Sequence, residues 1–79
     1  MAADEQFDRF RKCAADVLST PLQQITPEAR FREDFGVDSL DLIELVSALE
    51  REFDIEVDSD AIVGVETVGQ AFALIQAQL

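Results

Sequence analysis

Residues 39–53 carry the strongest pattern in the chain, because their apolar side chains recur at spacings of three and four. That period belongs to one face of an α-helix, so the segment predicts an amphipathic helix from Ser39 to Phe53. The side chains expected to face a core are Leu42, Ile43, Leu45, Val46, Leu49 and Phe53. Since most of the stability of such a helix comes from packing of its apolar face, other elements of the chain must cover it.

The segment before this helix predicts a first helix and a long loop. Apolar side chains recur at helical spacing from about Asp4 to Leu18, and Pro21 is expected to end that helix. Residues 19–38 predict a loop, in which Thr26-Pro27-Glu28 has the pattern of a short turn. The apolar residues expected to anchor this loop in the core are Leu22, Ile25, Phe31 and Phe35.

The segment after residue 53 predicts one short helix and one longer helix. Asp58-Ser59-Asp60 can cap a short apolar turn that Gly64 is expected to end. Thr67 and Gln70 have the spacing of a capping box, and helical periodicity continues to about Gln78. We therefore predict one domain over residues 1–79, an all-α four-helix bundle with three long helices, one short helix and a long first loop.

Charge is unevenly distributed along the chain. The sequence has 17 acidic and six basic residues, which gives a net charge of −11. Residues 33–79 hold twelve of the acids and one basic residue, Arg51, whereas residues 1–32 hold five charges of each sign. Nucleic acid is excluded as a partner, because binding to phosphates requires the opposite charge. Proteins with basic surfaces are the expected partners.

The single cysteine, Cys13, and the lack of histidine exclude several kinds of site. One cysteine cannot form an internal disulfide, and no ligand set for zinc is present. The acids do not have calcium-loop spacing, and no histidine can activate a serine, so we expect neither a metal site nor an enzyme. Cys13 lies at the edge of an apolar helix face, where a packed thiol is favoured over a reactive one. Without a signal-peptide pattern or a membrane-spanning apolar run, a cytoplasmic location is expected.

Ser39 is the candidate functional residue, because it lies where the loop ends and the amphipathic helix begins. Gly36 tolerates a left-handed turn, and Asp38 can cap the helix. The free N–H groups of the first helical turn would face a phosphate attached to the Ser39 hydroxyl. A solvated aspartate is a weak base at neutral pH, so we favour Asp38 as a cap over a proton acceptor. A role for Asp38 in orienting a modifying enzyme or its magnesium stays open.

The run Asp38-Ser39-Leu40-Asp41, together with the acidic amphipathic helix that follows, resembles the acyl carrier protein family. The similarity covers most of the chain and is strongest from about Phe35 to Val57. In that family the serine of the Asp-Ser-Leu motif, here Ser39, receives 4′-phosphopantetheine from coenzyme A through a magnesium-dependent phosphopantetheinyl transferase. The resemblance thus implies a carrier, expected to be a monomer, whose arm holds acyl thioesters in fatty-acid, lipid or polyketide-type biosynthesis.

The acids beside Ser39, in the half of the chain that carries the net charge, favour a docking surface over a merely solvated helix face, and the resemblance implies an acyl pocket. The implied partners are the transferase and acyl-activating, ketosynthase or acyltransferase enzymes with basic surfaces. The predicted docking residues are Leu40, Asp41, Glu44, Ser47 and Ala48. The candidates for lining an acyl pocket between helices, which are also candidates for the core, are Ile43, Val46, Phe53, Ile62 and Val68.

Departures from the family pattern favour a specialised carrier over a general fatty-acid carrier. Ser47 stands where fatty-acid carriers commonly have a larger apolar residue, and Arg51 replaces an acid. The short third helix is also less acidic than usual, so we expect Ile62 or Val63 to be exposed.

Two alternatives remain at this point. One is an aminoacyl or peptidyl carrier, which uses the same serine and arm; Val37 and the strong acidity favour acyl cargo instead. The other is an unmodified acidic helical adaptor, in which Ser39 merely begins a helix.

Overall fold

The computed structural model describes residues 2–79, which contain five α-helices. These are α1 (Ala2–Leu18), α2 (Phe31–Phe35), α3 (Ser39–Phe53), α4 (Ser59–Ile62) and α5 (Val68–Gln76), with a 3₁₀ turn at Leu22–Gln24. The predicted all-α fold, with long helices α1, α3 and α5 and a short α4, is confirmed. The first loop is more regular than predicted, because it contains the 3₁₀ turn and the five-residue α2.

The core lies between α1, α3 and α5. Phe7 and Phe10 of α1 contact Phe72 of α5 edge to face, with ring centroids 5.0 and 5.5 Å apart. Leu45 and Leu49 of α3 are fully buried in the same cluster. Burying one such side chain stabilises the fold by about 1.5–3 kcal/mol, so the apolar helix faces hold the bundle together.

One residue of the predicted apolar face of α3 lies outside the core. Leu42 and Val46 are buried as expected, but 51% of Ile43 is exposed, so its prediction as a core-facing residue was wrong. The element beside this edge of α3 is α4, whose four residues are too short to cover it. Ile43 consequently lines an open groove between the two helices.

The first loop is held in place mainly by two of its four predicted anchors. Ile25 and Phe31 are fully buried, and Phe35 is partly buried against the core. Leu22 does not act as an anchor, since 36% of it is exposed. Its carbonyl oxygen instead accepts a hydrogen bond from the Arg11 guanidinium, over 3.1 Å.

The start of α5 ties the loop to the bundle through backbone hydrogen bonds. The N–H of Phe31 donates to the carbonyl oxygen of Glu66, and the N–H of Val68 donates to that of Ala29, over 3.0 and 2.9 Å. These bonds fix the position of α2, and α2 leads directly into the start of α3.

The ends of α1 and α3 use left-handed residues other than glycine. Ser19 follows α1 with a φ of 52°, and Asp54 follows α3 with a φ of 55°. In each case the next N–H donates back to the last turn, from Thr20 to Ala15 and from Ile55 to Glu50. α1 therefore ends ahead of Pro21 by its own C-terminal motif.

Candidate functional site

A capping box begins α3 and confirms the predicted role of Asp38. The Asp38 carboxylate accepts a hydrogen bond from the N–H of Asp41 over 2.9 Å. The Asp41 carboxylate accepts one in return from the N–H of Asp38 over 3.3 Å. The first backbone hydrogen bond of the helix is donated by the N–H of Leu42 to the carbonyl oxygen of Asp38. The N–H groups of Ser39 and Leu40 come before it in the chain. Ser39 is exposed at this helix start.

The turn between α2 and α3 sets the position of Ser39. Gly36 has a φ of 66°, a conformation that favours glycine, and its N–H donates to the carbonyl oxygen of Arg32 over 3.1 Å. Val37 is buried, and its N–H donates to the carbonyl oxygen of Phe31 over 3.0 Å. The buried Val37 and these two hydrogen bonds hold the turn, which brings α2 beside the first residue of α3.

This reversal places Arg32 next to the candidate serine. Nη2 of Arg32 donates a hydrogen bond to Oγ of Ser39 over 3.3 Å. Sequence reasoning missed this residue, because it lies in a segment predicted to be a loop. The signal that could have found it is the pair Phe31 and Phe35, four residues apart and followed by Gly36, which is the pattern of one helical turn and its glycine cap.

A largely apolar groove opens beside Ser39. It has a volume of about 160 Å³ and is lined by Arg32, Ser39, Leu42, Ile43, Ile62, Val63 and Val65. A neighbouring space of about 220 Å³ shares Arg32, Val63 and Val65 with it and adds Glu33 and Glu66. The exposed hydroxyl thus stands at one side of a channel between α3 and α4, with a guanidinium at its rim.

Known proteins match this chain over most of its length. The family model described as a phosphopantetheine attachment site matches residues 8–75. An acyl carrier protein of Saccharopolyspora erythraea is 49% identical over 74 residues, which cover 94% of this chain and 78% of that protein. Another, from Phenylobacterium zucineum, is 44% identical over 72 residues, which cover 91% of each. The chain belongs to the acyl carrier protein family. It is a carrier and not an enzyme, and its cofactor is 4′-phosphopantetheine.

The start of α3 in this carrier fits a covalently attached phosphopantetheine. The arm requires an accessible hydroxyl, which Ser39 provides. Its phosphate is negative, and both the N-terminus of a 15-residue helix and the guanidinium of Arg32 favour negative charge at this point. The apolar groove opens beside the same residue.

The residues predicted to line an acyl pocket lie in different parts of the carrier. Ile43 and Ile62 line the groove beside Ser39. Val46 and Ile62 line a small internal cavity of about 10 Å³. Phe53 and Val68 are buried and are not among the residues that line either space. The structure therefore brings two of the five candidates together next to the candidate attachment residue, and the acyl pocket itself stays a prediction.

The predicted docking residues differ in exposure along α3. Leu40 is 63% exposed, and Glu44 is also exposed. Asp41, Ser47 and Ala48 are half-buried, and the carboxylate of Asp41 is engaged in the capping box. The most accessible parts of this predicted surface are therefore Leu40, in the first turn of α3, and Glu44, in the second.

Two apolar residues outside the predicted docking set extend that exposed surface. Ile43 is 51% exposed, and Val63, after α4, is 87% exposed. The exposure of Val63 agrees with the expectation from the less acidic third helix. Both residues line the groove beside Ser39, so the groove rim is apolar on the α3 side and on the α4 side.

Cys13 lies on α1, away from the groove beside Ser39. Cys13 is half-buried against the core; burial raises the pKa of its thiol, and the carboxylates of Glu52 and Asp16 raise it further. This confirms a packed thiol. Within the part of the chain whose side chains the structure describes, no cluster of three or more metal-ligating residues is found. In the same part of the chain, no helix has both the length and the apolarity to cross a membrane.

Proposed function

We propose that Ser39 carries the 4′-phosphopantetheine arm and that this carrier delivers acyl thioesters between enzymes of fatty-acid, lipid or polyketide-type biosynthesis. The observation that supports it best is the exposed Ser39 hydroxyl at the capped start of α3, beside an apolar groove. Once attached, the arm supplies the thiol that holds acyl groups as thioesters. The protein supplies a rigid attachment point and a surface for partners.

Loading of Ser39 requires a base from another protein. The Ser39 oxygen forms a bond to the phosphorus of coenzyme A next to pantetheine, the pyrophosphate bond breaks, and adenosine bisphosphate leaves. The hydroxyl proton has to pass to a base, and this chain contains no histidine. Asp38 accepts the N–H of Asp41, so its carboxylate is engaged as a cap. A magnesium-dependent phosphopantetheinyl transferase is therefore the proposed source of the base.

Partner docking is proposed to centre on Leu40 and Glu44. An exposed leucine gives apolar contact area, and the surrounding acids attract enzymes with basic surfaces at long range. The exposed Val63 and the residues Ser47 and Arg51 support a specialised carrier over a general fatty-acid carrier.

Intact mass spectrometry tests the attachment site. The protein is incubated with coenzyme A, magnesium and a transferase of broad specificity, and Ser39→Ala and Ser47→Ala are treated in parallel. We expect one phosphopantetheine on the wild type and on Ser47→Ala, and none on Ser39→Ala. The Ser47 variant removes the other serine hydroxyl of α3. Because Ser47 is also a predicted docking residue, the masses are compared after the reaction is complete, so that slower loading does not count as loss of the attachment site.

Each alternative predicts a distinct result, either in this loading experiment or in an assay of the loaded carrier with partner enzymes. A folded wild type that gains no mass, in a tube where a known carrier is loaded, would indicate the unmodified adaptor. Loading by an amino-acid-activating enzyme would indicate an aminoacyl carrier, which the names of the relatives do not favour. Full turnover with general fatty-acid elongation enzymes would contradict the specialised role.

A further inference from the structure

Arg32 is engaged differently from the three arginines that precede it in the chain. Arg9, Arg11 and Arg30 each form an ion pair with a carboxylate. Arg32 instead donates from Nη2 to the neutral hydroxyl of Ser39, over 3.3 Å. A guanidinium has five N–H donors in a planar fork, and one hydroxyl uses a small part of that capacity. The remaining donors are available to a group attached to the hydroxyl.

The charge around Ser39 makes this placement unusual. Arg32 is the last basic residue before a stretch that contains twelve acids and Arg51. Asp38 and Asp41 lie on either side of Ser39 in the sequence, and both carboxylates belong to the capping box. A phosphate on Ser39 would add negative charge to this acidic region. The guanidinium of Arg32 is the cation that the structure places within hydrogen-bond distance of the same oxygen.

We propose that Arg32 is the phosphate-binding residue of this carrier: its guanidinium binds the phosphodiester on Ser39 and directs the arm along the groove lined by Ile43, Ile62 and Val63. The inference rests on the proposed attachment at Ser39. Guanidinium groups pair with phosphate through parallel, charge-assisted hydrogen bonds, which are about twice as strong as bonds between neutral groups. Arg32 lines the groove and the neighbouring space, so it lies where the arm would leave the serine.

Arg32 is held in position before any arm is attached. Its neighbour Phe31 is fully buried, and the N–H of Phe31 donates to the carbonyl oxygen of Glu66. The carbonyl oxygen of Arg32 itself accepts the N–H of Gly36. The backbone on both sides of the side chain is therefore fixed, and binding of the phosphate requires ordering of one side chain only.

Nuclear magnetic resonance of the loaded carrier tests the inference. In the wild type, the Nε–H resonance of Arg32 is compared between the unloaded and loaded forms, with that of Arg30 as an internal reference. Arg30 is exposed and pairs with Glu33, so it reports any general effect of loading. We expect loading to shift the Arg32 resonance and to leave Arg30 nearly unchanged. Salt at about 1 M should reverse much of the shift, since it shortens the screening length to about 3 Å.

Two variants then measure what Arg32 does to the arm. Arg32→Gln and Arg30→Gln each remove one positive charge, at positions two residues apart, and both are loaded with the arm. The readouts are the phosphorus resonance and the nuclear Overhauser contacts from the arm methyl groups to Ile43 and Val63. We expect Arg32→Gln to weaken those contacts by about two- to fivefold, the range for an exposed charge pair. Arg30→Gln should resemble the wild type.

The outcomes separate this inference from the proposed function. If the wild type is not loaded, both are overturned. If it is loaded but the Arg32 resonance does not move, or if both variants keep the arm contacts, Arg32 does not bind the phosphate while Ser39 remains the attachment site. If Arg32→Gln cannot be loaded, the wild-type resonance alone decides.

Discussion

Two helices of this carrier begin with the same local motif but in different surroundings. α3 starts with the capping box of Asp38 and Asp41, and α5 starts with that of Thr67 and Gln70. The boxes have the same spacing and the same reciprocal hydrogen bonds. The residues inside them differ, since the first two helical positions are Ser39 and Leu40 in α3 but Val68 and Gly69 in α5.

The start of α5 is covered, whereas the start of α3 is open. Val68 is fully buried, and a Cβ on Gly69 would lie 3.1 Å from the carbonyl oxygen of Pro27. Ser39 is exposed, and Leu40 is 63% exposed. A capping box thus defines where a helix begins. The packing around the box decides whether that helix start is buried and stabilises the fold, or is exposed and available to a partner.

The largest expected difference concerns the first helical residue of each box. Val68→Ala should lower the free energy of unfolding by about 2 kcal/mol, because it removes two buried methyl groups and leaves a cavity. Ser39→Ala should change it by less than about 0.5 kcal/mol, since the side chain is exposed. Urea denaturation of the unloaded proteins measures both. Equal losses would show that the start of α3 is as important for stability as that of α5.

The second helical residue gives the next contrast. Gly69→Leu should cost about 1–3 kcal/mol, because its Cβ would press on Pro27 and displace the loop to which the N–H of Gly69 donates. Leu40→Ala should leave the unfolding free energy within about 0.5 kcal/mol of the wild type. Its predicted effect is on docking, as a several-fold lower kcat/KM of a partner enzyme for the loaded carrier. A stable Gly69→Leu variant would mean that the start of α5 is not closely covered.

Local sequence rules predicted the helices of this fold well. The span of α3, the cap at Asp38 and the capping box at Thr67 each depend on neighbours within four residues, and each was confirmed. The left-handed turn at Gly36 was also predicted correctly, since glycine adopts that conformation without a steric penalty.

The features that sequence reasoning missed depend on contacts between distant segments. The position of Arg32 beside Ser39 requires α2 to be held by the start of α5, through the hydrogen bond from Phe31 to Glu66. The exposure of Ile43 depends on the short length of α4, a helix that begins only at residue 59. Helical periodicity says which residues share a face but does not say how far the partner extends across it.

The third residue of each box provides a smaller contrast. The Gln70 side chain accepts two hydrogen bonds, from the N–H groups of Glu66 and Thr67 over 2.7 and 3.0 Å. The Asp41 side chain accepts one, over 3.3 Å. We therefore expect Gln70→Ala to lower the unfolding free energy by about 1 kcal/mol and Asp41→Ala by about half as much. A larger loss for Asp41→Ala in urea denaturation would contradict this ranking.

The smallest expected effect is electrostatic and concerns the open helix start alone. Glu44 lies one helical turn after Asp41, and like charges at that spacing destabilise a helix by about 0.2–0.5 kcal/mol. Glu44→Gln should therefore raise the melting temperature by about 1–3 °C at low salt, given the usual sensitivity of a domain of this size. Raising the salt concentration should increase the melting temperature of the wild type, because the acids of residues 33–79 repel each other, and should reduce the difference between the two proteins.

Glu28→Gln is the matched control, since Glu28 is exposed in the half of the chain where charges balance. If the control responds to salt as Glu44→Gln does, the charge repulsion acts over the whole chain. If it does not, the acids at the open start of α3, which would attract partners, lower the stability of the fold locally.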